Sequence, residues 1–221
     1  MMFLAGAEIV IAFAGILLFI WRLQFVFPDF AWFLLAFLIL TFVVHRDGFR
    51  KLGFGSNAFL SATKSLVVPA ALISFLLILT GMVIGTFRNW APDWDELSGF
   101  ARYFAWCLFQ QFGLQSFFAN RMFDVLKNAN KTAWITGIIF AAFHIPNPVL
   151  MPVTFAGGVI LTRVFVKTRN LVPLALAQAI IGTLISIMIP ASWHHGLRVG
   201  PGYYQFQVTY GNEKIRRVDV L

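Results

Sequence analysis

Three short runs bring amides and an imidazole into apolar stretches of this chain: FQQFGLQSFF at 109–118, FAAFH at 140–144 and LAQAIIG at 176–182. The chemistry they offer is that of one imidazole and several uncharged amides. On a helix Gln111 and Gln115 share a face, with Gln110 turned about 100° aside. Phe140 and His144 share a face for the same reason, as do Gln178 and Gly182. An imidazole with an ordinary pKa near 6.5 can move a proton or ligate a metal. A glutamine amide cannot serve as a general base, but it donates and accepts hydrogen bonds. Each buried amide left unbonded costs roughly 1–3 kcal/mol. Three on one apolar helix are therefore either glue between helices or the lining of a polar cavity, and the cavity is the favoured reading.

The elements that must position these groups are membrane spans. Apolar residues make up 59% of the chain and aromatic residues 17%, which excludes an ordinary soluble core. A bilayer core of roughly 30 Å needs about 20 mostly apolar residues per helix. Runs of this kind lie near 3–21, 30–44, 66–87, 97–118, 132–143, 149–166 and 171–190. The expected fold is an all-α polytopic membrane protein of about seven or eight transmembrane or re-entrant helices. His144-Ile145-Pro146-Asn147-Pro148 must break a helix at the one imidazole among the three runs, and such a break is tolerated where it lines a buried or wet cavity. Asn147 adds an amide there. The first span has no Lys or Arg before Trp21 and no clear cleavage site, so it reads as a retained helix. Glu8 is expected at its interfacial end.

The formal net charge of +8 marks topology, not nucleic-acid binding. Arg46, Arg50 and Lys51 follow the second span, Arg121, Lys127 and Lys131 the fourth, and Lys167 and Arg169 the sixth. Asp93, Asp95 and Glu96 lie between the third and fourth. The positive-inside rule then puts the amino terminus in the cytoplasm. Seven spans put the tail outside, whereas Lys214, Arg216 and Arg217 favour the cytoplasm, so its side stays open. Cys107, the only cysteine, is read as a packing residue.

The chain divides into a membrane domain, 1–191, and an extramembrane tail, 192–221. In the tail Tyr204, Phe206, Val208 and Tyr210 alternate with polar residues before Gly211-Asn212, and Ile215, Val218 and Val220 follow, as in a β-hairpin packed on the membrane domain. His194, His195 and Arg198 form a polar cluster at the last span. With His144 they would make a three-imidazole metal site, but adjacent histidines rarely ligate one ion, and a solvated cluster that holds a lipid phosphate or carboxylate is favoured. No metal or other cofactor is assigned.

The order and spacing of the three runs resemble the CPBP superfamily of integral membrane proteins, which includes the CAAX prenyl endopeptidases and carries EExxxR, FxxxH and HxxxN motifs. The resemblance covers roughly 104–190, with a looser match at Lys51-Leu52-Gly53-Phe54. It implies that Gln110 and Gln111 stand at the glutamate positions, Gln115 at the arginine, His144 at the first histidine, Gln178 at the second and Gly182 at the asparagine. In that family the first glutamate and the FxxxH histidine are thought to activate water, and the third motif to stabilise the oxyanion. Here the charge is removed while size and hydrogen bonding are kept at three of those positions.

The resulting expectation is a degenerate peptidase whose cavity, lined by Gln115, Phe140, Asn147, Gln178, Gly182, His194, His195 and Arg198, binds a membrane lipid, an isoprenoid or a membrane-protein segment such as a prenylated peptide. The alternatives are an enzyme acting on an isoprenoid or other lipid through His144, and an endopeptidase whose base is Glu8 or Asp124. The expected location is the bacterial cytoplasmic membrane.

Overall fold

The computed structural model describes residues 2–55, 58–86, 94–206, 209–210 and 213–214. Among them seven long helices follow the apolar runs closely: α1 (Met2–Val26), α2 (Phe30–Val44), α3 (Phe59–Ile84), α4 (94–126), α5 (Ala129–Ala142), α6 (Leu150–Thr168) and α7 (Val172–Met188). Three of them, α1, α3 and α6, are long and apolar enough to cross a membrane, and α2 and α7 are shorter apolar helices. The protein is an all-α integral membrane protein.

Two helices run further than their apolar cores. α3 begins at Phe59 and passes through exposed Lys64, whose long stem can carry its charge to the helix end. α4 continues past Phe118 because its charged residues find partners. Arg121 is wholly buried: Nε lies 2.9 Å from Glu8 Oε2, Nη1 2.7 Å from Asp47 Oδ2, and Nη2 donates to the Thr41 carbonyl at 3.1 Å. The Phe42 and Phe117 rings flank it at 5.8 and 5.7 Å. His45 Nε2 meets Glu8 Oε1 at 3.0 Å, and Lys51 joins Asp47 at 2.9 Å to Asp124 at 3.0 Å. Glu8 lies near the end of α1, as expected, but it is not a solvated side chain. At 5% exposure it is a buried counter-ion, as a carboxylate in an apolar setting must be if it keeps its charge.

This charged cluster marks one end of the bundle, where the 45–55, 127–128 and 169–171 connections lie. The 45–55 loop is pinned there by Ser116 and Asn120 of α4, which donate to the carbonyls of Leu52 (2.6 Å) and Lys51 (2.8 Å). Gly53, at φ 94°, lies so close to Leu171 and Phe165 that a Cβ would meet Leu171 Cγ at 2.5 Å. At mid-bundle α5 and α6 pack through glycines, and a Cβ on Gly158 would come within 2.7 Å of Gly137 Cα. Small residues give membrane helices this close approach.

The chain beyond α7 lies at the opposite end. It forms α8 (Ala191–His194), a single 3-10 turn at His195–Leu197, and α9 (Pro201–Tyr204). Gly200 N–H donates to the Ile145 carbonyl at 2.8 Å, and a Cβ there would lie 2.8 Å from Ile20 Cγ2. The tail therefore packs on the ends of α1 and α5, away from the basic connections. The expected hairpin is met at Thr209–Tyr210 and Glu213–Lys214 and not at Tyr204. Tyr204 is helical because Pro201 starts a turn of helix, and among the described residues Thr209–Tyr210 (β1) pairs antiparallel with Glu213–Lys214 (β2), Tyr210 opposite Glu213. Val208, Gly211, Asn212, Ile215, Val218 and Val220 lie outside the described residues.

Candidate functional site

The first motif lies on an irregular stretch of helix. Within α4 the segment Phe112–Ala119 is π-helical, and such segments are frequent at functional positions. Gln111 and Gln115 still meet: Gln115 Nε2 donates to Gln111 Oε1 at 3.0 Å. From there the amides run across helices. Gln111 Nε2 donates to Gln178 Oε1 of α7 at 2.6 Å, Gln178 Nε2 donates to Gln110 Oε1 at 2.5 Å, and Thr162 Oγ1 of α6 donates to Gln115 Oε1 at 3.0 Å.

This uncharged relay ties α4, α6 and α7 together. Gln111, Gln115 and Thr162 are fully buried, and their role is the interhelical glue that was the less favoured reading. Gln110 and Gln178 are half-buried and form the open end. The Gln110 NH2 has no partner among the described residues. Thr162 was not foreseen, and its only signal was a small hydroxyl within an apolar run.

Gly182 has a neighbour that the sequence reading also missed. A Cβ built on it would lie 2.8 Å from Tyr103 Cζ and 2.9 Å from Cε1, with the hydroxyl closer still. Tyr103 thus fills the space a side chain at 182 would need. Its signal was its place seven residues before Gln110, on the same face of α4. Cys107 lies between them, wholly buried against Ala175 and Ala179, in the packing role expected.

His144 stands apart from the relay, with no hydrogen bond between them. Its Nδ1–H donates to the Phe140 carbonyl at 2.7 Å, which leaves Nε2 as an unprotonated acceptor, and the Phe140 ring stands edge-on at 4.9 Å. The residue is buried at 8% exposure, and Nε2 has no partner among the described residues. Nor does any described carboxylate reach it. Glu8 is taken by His45 and Arg121, Asp124 by Lys51 and Lys127, and Asp47 by Lys51 and Arg121.

The remaining polar residues hold the tail. Asn147 donates to the carbonyls of His194 (2.7 Å) and Arg198 (3.0 Å), and its oxygen accepts from the N–H groups of Val149 (3.1 Å) and Leu150 (3.0 Å). All its bonding capacity goes to backbone, so it is a clasp and start-cap for α6 and not part of the glutamine group. His194 Nε2–H donates to the Ile189 carbonyl at 3.1 Å and Nδ1 accepts from Leu197 N–H at 3.2 Å, so neither nitrogen is free for a metal. His195 stacks on Tyr203 at 3.9 Å and 4°, and Arg198 lies 5.7 Å over Phe206. Of the solvated cluster expected at His194, His195 and Arg198, His194 is buried, His195 is half-buried and Arg198 is exposed. No three His, Cys, Asp or Glu side chains converge among the described residues.

Burial pushes the His194 imidazole below its ordinary value, against the raising effect of its backbone hydrogen bonds. The released tail takes up a proton near 6.5 and the docked tail resists it, so docking is complete above about pH 6.5 and weakens as pH falls below that. Limited proteolysis in residues 191–206 is expected to be faster at pH 5 than at pH 8. Asn147→Ala should raise the rate about thirtyfold at both, since it removes two of the bonds that hold the tail, each worth about 1 kcal/mol. Equal rates in wild type and variant would refute the clasp.

Residues 92–184 match the family model described as type II CAAX prenyl endopeptidase Rce1-like. No curated protein and no solved structure matches the chain. The matched segment holds Gln110, Gln111, Gln115, His144, Gln178 and Gly182 in the order of the three motifs. Over that segment, α4 to α7, the chain is similar to type II CAAX prenyl endopeptidases, which supports membership of the CPBP superfamily and a CAAX-protease-like integral membrane protein.

Proposed function

We propose that this protein is a pseudopeptidase, in which the peptidase site of the superfamily has become an uncharged site that binds a lipid, an isoprenoid or a segment of a membrane protein. The observation that carries this reading is the continuous run Thr162–Gln115–Gln111–Gln178–Gln110, whose glutamines are set where the resemblance places two glutamates, an arginine and a histidine. An amide cannot take a proton from water near neutral pH, so the relay orients and does not activate. His144 retains an acceptor nitrogen without a carboxylate behind it, which speaks against Glu8 or Asp124 as a substitute base. Its free Nε2 favours, as the second reading, proton abstraction from a lipid or isoprenoid substrate.

In this reading residues 1–191 form the membrane body and 192–221 the tail, the amino terminus and the basic connections face the cytoplasm, and the membrane is the bacterial cytoplasmic one. The test is photo-crosslinking of a farnesyl diazirine probe to the full chain in nanodiscs. Saturable labelling on α4 and α7 is expected, reduced several-fold in Gln110→Leu and His144→Ala. Labelling that neither saturates nor responds to these substitutions would overturn it.

A further inference from the structure

Two arginines at the charged end are brought together without a carboxylate between them. The stem of Arg50 and the backbone of Arg169 both pack beside Gly55, since a Cβ there would lie 3.8 Å from Arg50 Cγ and 3.0 Å from the Arg169 carbonyl. The placement is built into the fold. Gly55 N–H donates to the Arg169 carbonyl at 3.1 Å, Leu171 N–H to the Gly53 carbonyl at 3.0 Å, and Asn170 Nδ2 to the Gly55 carbonyl at 2.8 Å. Arg169 is further fixed by its bond to Asn120 Oδ1 and by the Phe165 ring 5.1 Å beneath its guanidinium.

The local charge is not balanced. Asp47 and Asp124 are spent on Arg121, Lys51 and Lys127. Arg50 has no hydrogen bond or ion pair among the described residues. Burial pulls the Arg169 guanidinium below its ordinary value, opposed by Asp124 and helped by the repulsion of Arg50. Two like charges held near one another are relieved by an anion, and guanidinium forks match phosphate oxygens. Beside them Phe49 and Phe54 are 80% and 53% exposed, aromatic rings next to basic groups at the end of a membrane bundle.

We propose that Arg50 and Arg169 form a docking site for the phosphate of an anionic membrane lipid, with Phe49 and Phe54 against its chains. A soluble phosphate would satisfy the arginines but would leave the two rings in water, and so the lipid is the better fit. The site lies on the 45–55 and 169–171 connections, apart from the glutamine relay, and does not depend on the pseudopeptidase reading.

The test uses the full chain in detergent micelles, with bound lipid counted by native mass spectrometry against added phosphatidylglycerol, phosphatidylcholine or glycerol phosphate. Phosphatidylglycerol should be retained roughly tenfold or more over phosphatidylcholine, as expected for two basic groups near a membrane surface. Arg50→Gln, at an exposed side chain, should reduce that preference about fivefold, and Arg169→Lys should reduce it while keeping the charge. Lys131→Gln, exposed at the same end of the bundle, should leave it unchanged. An unaltered preference in Arg50→Gln, or an equal loss in Lys131→Gln, would overturn the site. Glycerol phosphate binding as tightly as the lipid would overturn its assignment to a lipid.

Discussion

Arg121→Met should destabilise the protein by about 3 kcal/mol, the low end of what is lost when one partner of a buried ion pair is removed. Among the described residues Arg121 is the only group that touches both Glu8 and Asp47, and it joins α4 to α1 and to the connection after α2. Without it two carboxylates with side-chain exposures of 7% and 1% lose a counter-ion, although His45 and Lys51 each remain on one of them. The cost is that of the uncompensated charge more than of the missing attraction. Glu8→Gln and Asp47→Asn added to Arg121→Met should therefore restore most of the loss. Melting in detergent followed by circular dichroism reads both effects. An Arg121→Met protein that melts with the wild type would show that the cluster does not hold the helices together.

The second large effect is expected at Gly182. Putting back the asparagine that the family resemblance calls for drives its Cβ against the Tyr103 ring, because Cζ and Cε1 lie 2.8 and 2.9 Å from where that atom must go. Overpacking at such a site costs roughly 1–3 kcal/mol and can be larger. Gly182→Asn alone should lower the melting temperature, and Tyr103→Ala combined with it should recover the wild-type value or more. If Gly182→Asn melts unchanged, Tyr103 moves aside freely and does not fill that space. The exchange bears on function, since a restored peptidase site requires the tyrosine to be cut back together with the other changes.

The seven helices were legible because a span is written as a long local run of apolar side chains, and the breaks at 27–29, 127–128 and 143–149 fall where Pro, Asp and Asn interrupt those runs. What the sequence hid was pairing at a distance. Glu8, Asp47 and Arg121 are far apart in the chain, and each alone reads as an end-of-helix charge. Only the fold shows that they neutralise one another inside. The glutamines were legible as a group, but whether amides line a cavity or bond to each other depends on the register between α4 and α7, which no local pattern encodes. Asn147 was misplaced for the same reason, as its partners lie at 194 and 198. The start of the first strand at Tyr204 failed on local grounds, because a proline at 201 with a glycine of positive φ before it starts a helix inside what alternation alone reads as a strand.

The central claim is that the amide relay has replaced the peptidase chemistry. Its most direct test is cleavage of prenylated and unmodified peptides in lipid nanodiscs by three forms: wild type, His144→Ala, and a form carrying Gln110→Glu, Gln111→Glu, Gln178→His, Gly182→Asn and Tyr103→Ala together. The account predicts no cleavage by wild type or His144→Ala, and measurable cleavage by the fivefold variant. Cleavage by wild type that is lost in His144→Ala would contradict it, and would mean that a working base lies within reach of that imidazole.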